Sequence, residues 1–137
     1  MSDLLATLQI ANSGMRAQSE RTRVIAQNIA NADTLPSKAG ENPYTRKTIS
    51  FKNVLDKSVG DKLVKVDKVD EDKNTEYGKK YMPGHPAADA NGYVSTPNVT
   101  TLIEMMDMRE ASKSYEANLG MFTQTREMAN KTIDMLR

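Results

Sequence analysis

Residues 4–32 read LLATLQIANSGMRAQSERTRVIAQNIANA, and the spacing of their apolar side chains dominates the secondary-structure prediction. Mostly apolar residues recur in alternating steps of four and three, which is the spacing along one face of a long, coiled-coil-like helix. This row consists of Leu4, Leu8, Ala11, Met15, Gln18, Thr22, Ile25, Ile29 and Ala32. We expect the helix to end near Asp33, because Leu35 precedes Pro36 and proline disfavours a helical conformation in the residue before it.

The C-terminal forty residues repeat this spacing. Pro97 suits the first turn of a helix, and Thr96 or Asn98 is suited to cap it. The row that follows is Met105, Met108, Ser112, Tyr115, Leu119, Phe122, Arg126, Ala129, Ile133 and Leu136. The sequence therefore predicts a second long helix that runs to the C-terminus.

Residues 36–97 lack this helical spacing. The segment from Tyr44 to Phe51 favours a strand, and Pro83-Gly84 and Asn91-Gly92 are turn signals. We predict a mainly α fold, in which long antiparallel N- and C-terminal helices form a coiled-coil-like hairpin around a small β-rich insert. The predicted division is 1–35 and 98–137 as one discontinuous helical domain and 36–97 as a partly irregular insert.

The apolar rows suggest that the two helices also contact other molecules. We predict an assembly seam of Leu4, Leu8, Met15, Ile25, Ile29, Met105, Met108, Tyr115, Leu119, Phe122, Ile133 and Leu136. A second stripe lies beside this seam and consists of Ile10, Ala17, Val24, Met121, Met128 and Met135. A single partner helix cannot cover both rows, so we expect the surplus to be buried against neighbouring subunits.

Composition excludes several classes of function. The 137 residues carry 19 basic and 18 acidic side chains, so no overall field attracts nucleic acid or an anionic membrane. The chain has no cysteine, which excludes disulfides and thiolate metal sites. Neither a secretory signal nor a membrane-spanning run is recognisable, so any export is expected to proceed without a cleaved signal peptide.

The motifs that suggest chemistry are weak. His85 is the only histidine, and Gly84 and Pro86 on either side favour a turn. The run Asp70, Asp72, Asn74 and Glu76 imitates the start of a calcium loop, but Thr75 and Tyr81 occupy positions that need glycine and glutamate. We therefore predict no catalytic residue, no metal and no cofactor, and we expect a protein that is not an enzyme.

Five separated stretches resemble the bacterial flagellar axial family, which comprises rod, hook and filament-junction proteins. The resemblance begins with IAQNIANADT at residues 25–34 and continues with PYTRK at 43–47 and PGHPAADANGYV at 83–94. It ends with PNV at 97–99 and YEAN at 115–118, in the order typical of proximal-rod members. The matching positions that we carry over as site residues are Asn28, Asn31, Thr34, Pro97, Asn98 and Tyr115.

The resemblance implies a structural subunit of the proximal rod of the flagellar basal body, which spans the periplasm and transmits torque. It implies passage through the flagellar type III export apparatus and contact with copies of the chain itself. The further partners it implies are the rod subunits FlgB and FlgF and the basal adaptor FliE, with no nucleic acid and no membrane insertion. The alternatives are another axial subunit similar to FlgB, or a cytoplasmic helical-hairpin adaptor or export chaperone.

Overall fold

The computed structural model describes residues 2–137, so Met1, the first residue of the predicted domain 1–35, lies outside the described residues. The order of elements is α1 (Ser2–Ala30), β1 (Lys47–Asp56), β2 (Asp61–Glu71), β3 (Gly78–Tyr81), β4 (Tyr93–Thr96) and α2 (Thr101–Met135). Neither helix, within this described range, has a stretch apolar enough to cross a bilayer.

The prediction of a mainly α fold is wrong. Helices make up 47 % of the chain and strands 21 %, so the fold is mixed α/β. The difference arises from β1 and β2, which are 10 and 11 residues long and extend through a densely charged segment. Charged residues are compatible with these two strands because neither strand packs into a core. Among the described residues of β1 and β2, Leu63 is the one buried side chain.

Helix α1 ends at an asparagine-based turn. The Asn31 side-chain amide and backbone N–H both donate to the Gln27 carbonyl oxygen, at 2.8 and 3.1 Å. The Thr34 hydroxyl in turn donates to Asn31 Oδ1 at 3.3 Å. These bonds satisfy groups that the helix end leaves open, so the regular helix ends at Ala30, slightly before the predicted Asp33.

The strands form two separate two-stranded sheets, β1–β2 and β3–β4. Four residues join β1 to β2, so the two strands run antiparallel. Gly60 adopts a φ of +76° in this connection, and its N–H donates to the Asp56 carbonyl oxygen at 2.9 Å. β3 and β4 pair antiparallel from Gly78 with Thr96 to Tyr81 with Tyr93, whose rings meet edge to face.

The chain divides into two compact units. The first unit comprises Met1–Thr22, Ile49–Lys68 and Arg109–Arg137. The second unit comprises Arg23–Thr48 and Val69–Met108. In the first unit α1 lies antiparallel to α2, because Gly14 meets Asn118 and Arg21 pairs with Glu110. In the second unit Asn28 of α1 bonds to Glu104 of α2.

Candidate functional site

Asn28 closes the outer edge of β1 in the second unit. Its side-chain amide donates to the Lys47 carbonyl oxygen at 2.8 Å, and its Oδ1 accepts the Lys47 backbone N–H at 2.9 Å. The carboxamide thus bonds to Lys47 as a peptide group of a neighbouring strand would. Because Asn28 is only 1 % exposed, its side chain fixes the start of β1 against the end of α1.

Asn98 has a comparable role at the open end of the β1–β2 hairpin. The Asp72 N–H donates to the Arg46 carbonyl oxygen at 2.7 Å, as in a strand ladder. The reciprocal bond is replaced by Asn98, whose Oδ1 accepts the Arg46 N–H at 2.7 Å and whose amide donates to the Asp72 carbonyl oxygen at 2.9 Å. Asn98 was predicted as a possible helix cap, but its side chain joins Arg46, directly before β1, to Asp72, directly after β2.

A buried ion pair links this hairpin base to α2. Glu104 is 1 % exposed, and its carboxylate accepts hydrogen bonds from the Arg46 Nε and, at 3.1 Å, from the Asn28 amide. The Arg46 guanidinium also lies 3.6 Å from Asp107 and 3.9 Å from Asp72. We call Asn28, Tyr44, Arg46, Asn98 and Glu104 the polar junction.

The Tyr44 hydroxyl is a hydrogen-bond donor in the polar junction. Burial raises the pKa of the Tyr44 hydroxyl, and the charges of Glu104 and Glu71 raise it further. The hydroxyl therefore keeps its proton at neutral pH and donates it to Asn28 Oδ1 at 2.8 Å. This bond completes the hydrogen bonding of the Asn28 side chain.

The acidic run that resembles the start of a calcium loop forms a turn, which Asp72 stabilises. Asp72 accepts the Thr75 hydroxyl at 2.8 Å and the Asn74 N–H at 3.0 Å. These two bonds lower the pKa of the Asp72 carboxyl, with smaller contributions from the Thr75 N–H and the Arg46 charge. Within residues 2–137, no group of three or more acidic or histidine side chains is arranged to hold a metal ion.

The contact between the helices in the first unit uses small side chains. A Cβ added at Gly14 would lie 2.7 Å from the Asn118 Nδ2, so the missing side chain allows close approach. Ala11, Ala17, Ala111 and Thr125 are buried on the two helices. On α2 the inward positions 104, 111, 118 and 125 follow one another at intervals of seven.

The predicted seam lies partly beside these inward positions. On α1, Ile25 is buried, and Leu4, Leu8, Met15 and Ile29 are half-buried. On α2, Met108 and Phe122 are half-buried, whereas the other predicted positions are exposed; these are Met105, Tyr115, Leu119 and Ile133, with Leu136 directly after the end of the helix. The structure brings α1 against the row one residue earlier on α2, and the assembly seam stays a prediction.

The second stripe is divided between the two helices. Ala17 and Val24 are buried on α1, whereas Ile10 is exposed. Met121, Met128 and Met135 are all exposed on α2. With about 100° between successive helical residues, the methionines lie on one side of the inward row and the Leu119 row lies on the other.

Among the positions carried over from the resemblance, Asn28 and Asn98 belong to the polar junction and Pro97 is buried beside it. Asn31 and Thr34 cap α1, while Tyr115 is exposed on α2. Sequence reasoning missed Gly14, Arg46, Glu104 and Asn118. The interval of seven from Glu104 to Ala111, Asn118 and Thr125 was a usable signal, but a search for apolar rows passes over small and polar residues.

Two family models of flagellar proteins match the ends of the chain. The family described as "Flagella basal body rod protein" matches residues 8–35. The family described as "Flagellar basal body rod FlgEFG protein C-terminal" matches residues 90–135. These matches include most of α1 and all of α2.

Curated relatives match over nearly the whole length. The flagellar basal-body rod protein FlgC of Agrobacterium fabrum is 47 % identical over 137 residues, which cover 100 % of this chain and 98 % of the relative. The FlgC protein of Salmonella typhimurium is 40 % identical, with 96 % and 97 % covered. The FlgC protein of Bacillus subtilis is 33 % identical, with 94 % and 95 % covered.

Proposed function

The chain belongs to the FlgC family of flagellar basal-body rod proteins, and we propose from this premise that it assembles into the proximal rod through exposed rows on α2. It is a structural subunit of the rod, and its place is the flagellar basal body. Its position along the rod, its route of export and the absence of enzymatic activity belong to the proposal.

The observation that carries the proposal is the exposure of large apolar side chains on both sides of α2. Met105, Tyr115, Leu119 and Ile133 are exposed on one side, and Ile103, Met121, Met128 and Met135 on the other. Burying one such side chain contributes roughly 1.5 to 3 kcal/mol. Each subunit therefore has several favourable contacts available for association.

The placement of these rows favours a tube over a closed dimer. A subunit with different apolar rows on two sides can bind one neighbour with each, and such head-to-tail contacts generate rings or helical assemblies. Methionine is suited to this surface because its unbranched side chain adapts to partners that are not identical. The proximal rod is expected to provide such partners.

The polar junction supports a mechanical role within the second unit. It joins the end of α1, the start of β1 and the beginning of α2 through directional hydrogen bonds. Buried, fully bonded polar groups favour one geometry over alternatives that leave them unpaired. We infer that the junction holds the base of the insert in place when torque passes through the helices.

The proposed domain division follows from this role. Residues 1–35 and 98–137 supply the helices of the inner tube, and residues 36–97 form the insert outside it. The proposed neighbours are copies of the chain, FlgB and FlgF, with FliE near the base. The proposed route is the flagellar type III apparatus, without a cleaved signal peptide.

The test is retention in purified basal bodies. A strain that lacks the chromosomal copy is complemented with the epitope-tagged chain, and detergent-washed basal bodies are immunoblotted beside a cytoplasmic control protein. Retention in a strain that cannot build the distal rod would support the proximal position. Retention only when the distal rod is present would contradict that position, and confinement to the cytoplasm would contradict the assembly proposal as a whole.

A further inference from the structure

The β1–β2 sheet leaves one edge of each strand open. Because the sheet has only two strands, each strand has a neighbouring strand along one edge and none along the other. At Lys47, the Asn28 carboxamide satisfies the open edge of β1. Residues 61–71 of β2 contain no proline, which would block pairing at such an edge.

A groove in the first unit lies along β2. Its volume is about 510 Å³. One wall is formed by the four consecutive residues 63–66 of β2, and the other by a face of α1 that includes Gln9, Asn12, Ser13 and Arg16. Side chains of consecutive strand residues point to opposite faces, so four in a row share one groove most readily along the strand's edge.

The pairing within one chain identifies a strand that fits this edge. In the first unit, the Ser50 hydroxyl of β1 donates to the Lys68 carbonyl oxygen of β2 at 3.4 Å, and Lys52 pairs with Asp67 at 3.0 Å. The side chains of β1 are therefore compatible with β2 as a neighbour. The same chain exposes Phe51, Asn53 and Leu55 on β1, and Leu55 is 58 % exposed.

We propose that β1 of a second copy adds to the open edge of β2, so that the hairpins of neighbouring subunits form one continuous sheet. This inference rests on the proposed function, because it assumes that copies lie side by side in the rod. Each copy offers β1 to one neighbour and β2 to the other, which is the head-to-tail contact of a ring or helix. Main-chain hydrogen bonds supply the contact, as in other strand additions.

Cysteine cross-linking tests this contact directly, because the chain has no cysteine of its own. Two differently tagged copies are co-expressed, one with Lys65→Cys and the other with Phe51→Cys, Asn53→Cys or Leu55→Cys. Since each polypeptide carries a single cysteine, a disulfide between the two tags arises only between subunits. We expect at least one of the three pairs to cross-link in basal bodies, because strand partners lie within disulfide range.

In the matched control, Lys65→Cys is combined with Lys38→Cys. Lys38 is exposed in a loop of the second unit. Cross-linking in a β1 pair but not in this control would support the proposal. Retention of all variants in basal bodies without any β1 cross-link would overturn it and leave the rod assignment intact. A cross-link from Lys65→Cys to a different rod protein would also overturn it, since the occupant would not be a second copy.

Lys65→Pro tests the backbone contact. Proline removes the Lys65 N–H, so the circular dichroism spectrum and melting curve of the purified variant are compared with those of Lys65→Ala to establish that the β1–β2 hairpin still forms. Loss of Lys65→Pro from basal bodies with retention of Lys65→Ala would support strand addition. Normal retention of folded Lys65→Pro would overturn it, and if this variant is unfolded the cross-linking result decides.

Discussion

In the first unit the helix–helix contact is built from small side chains, whereas in the second unit it centres on buried polar groups. Gly14 approaches Asn118 beside buried alanines in the first unit. Asn28, Arg46 and Glu104 form a hydrogen-bonded network in the second unit. Neither contact buries most of the large apolar side chains of α2. These side chains are therefore available for contacts with other molecules.

The second unit is expected to be the more sensitive of the two. Arg46→Ala would leave the Glu104 carboxylate buried without its cation, which costs on the order of 4 kcal/mol in the free energy of unfolding. Urea unfolding of the purified variant measures this loss. The matched variant is Glu110→Ala, because Glu110 pairs with Arg21 in the first unit but has a side chain that is 68 % exposed. We expect it to cost about 0.5 kcal/mol or less, and equal costs would contradict the proposed difference between the units.

Asn28→Asp tests the peptide-like bonding within the polar junction. The carboxylate still accepts from Lys47 and Tyr44, but it cannot donate to the Lys47 carbonyl and it adds a negative charge beside Glu104. We expect a loss of about 3 kcal/mol in unfolding free energy, since a buried acceptor loses its donor and two like charges meet.

Asn31→Asp is the control within the same sequence motif. Asn31 is half-buried, and its amide bonds only to the Gln27 carbonyl at the end of α1. The expected cost is about 1 kcal/mol, the usual net contribution of one hydrogen bond. Denaturation curves that place Asn31→Asp at or below the stability of Asn28→Asp would show that the motif acts chiefly as a helix cap.

The close approach in the first unit is tested by comparing two glycines in long helices. Gly120 has open space where a Cβ would lie, so Gly120→Ala should stabilise the chain by about 1 kcal/mol. Gly14→Ala gains the same helix propensity but places its methyl against Asn118, and we expect a net loss of about 1 kcal/mol. Thermal unfolding of both variants, and of Gly14→Ala combined with Asn118→Ala, measures the coupling. Failure of the second substitution to restore stability would contradict the steric explanation.

The long helices were predictable because their periodicity extends over many residues. The cap at Asn31 was also within reach, since the turn lies shortly before Leu35-Pro36. The strand content was underestimated because the charged residues of β2 hide its period-two pattern. Two exposed strands do not need a continuous apolar face, so hydrophobicity is a poor guide to them.

The inward row of α2 was harder to predict for a different physical reason. A search for apolar residues selects Met105 and Leu119, which are exposed, over their neighbours Glu104 and Asn118. Helix contacts that depend on close approach favour small side chains, and those that depend on hydrogen bonds favour polar ones. The polar junction could not be foreseen because its bonds join residues that are far apart in the sequence, such as Arg46 and Asn98.

Leu119→Asp is expected to have the smallest effect on folding and a large effect on assembly. Leu119 is 44 % exposed on α2, so its replacement should change the unfolding free energy by about 0.5 kcal/mol or less. In the rod, however, the same carboxylate would be placed in an apolar contact, where an unpaired charge is strongly unfavourable. Ile29→Asp should also block assembly, but Ile29 is half-buried and its loss would affect folding as well.

The control for Leu119→Asp is Gln124→Asp, which adds the same charge to an exposed polar position of α2, about 140° around the helix from Leu119. Unfolding curves, swimming and retention in basal bodies are measured for both variants. Stable folding of both, with retention of Gln124→Asp alone, would show that the exposed Leu119 row serves assembly. Normal rods that contain Leu119→Asp would refute the seam, because the large apolar side chains left free by both units would then have no function in the contacts between subunits.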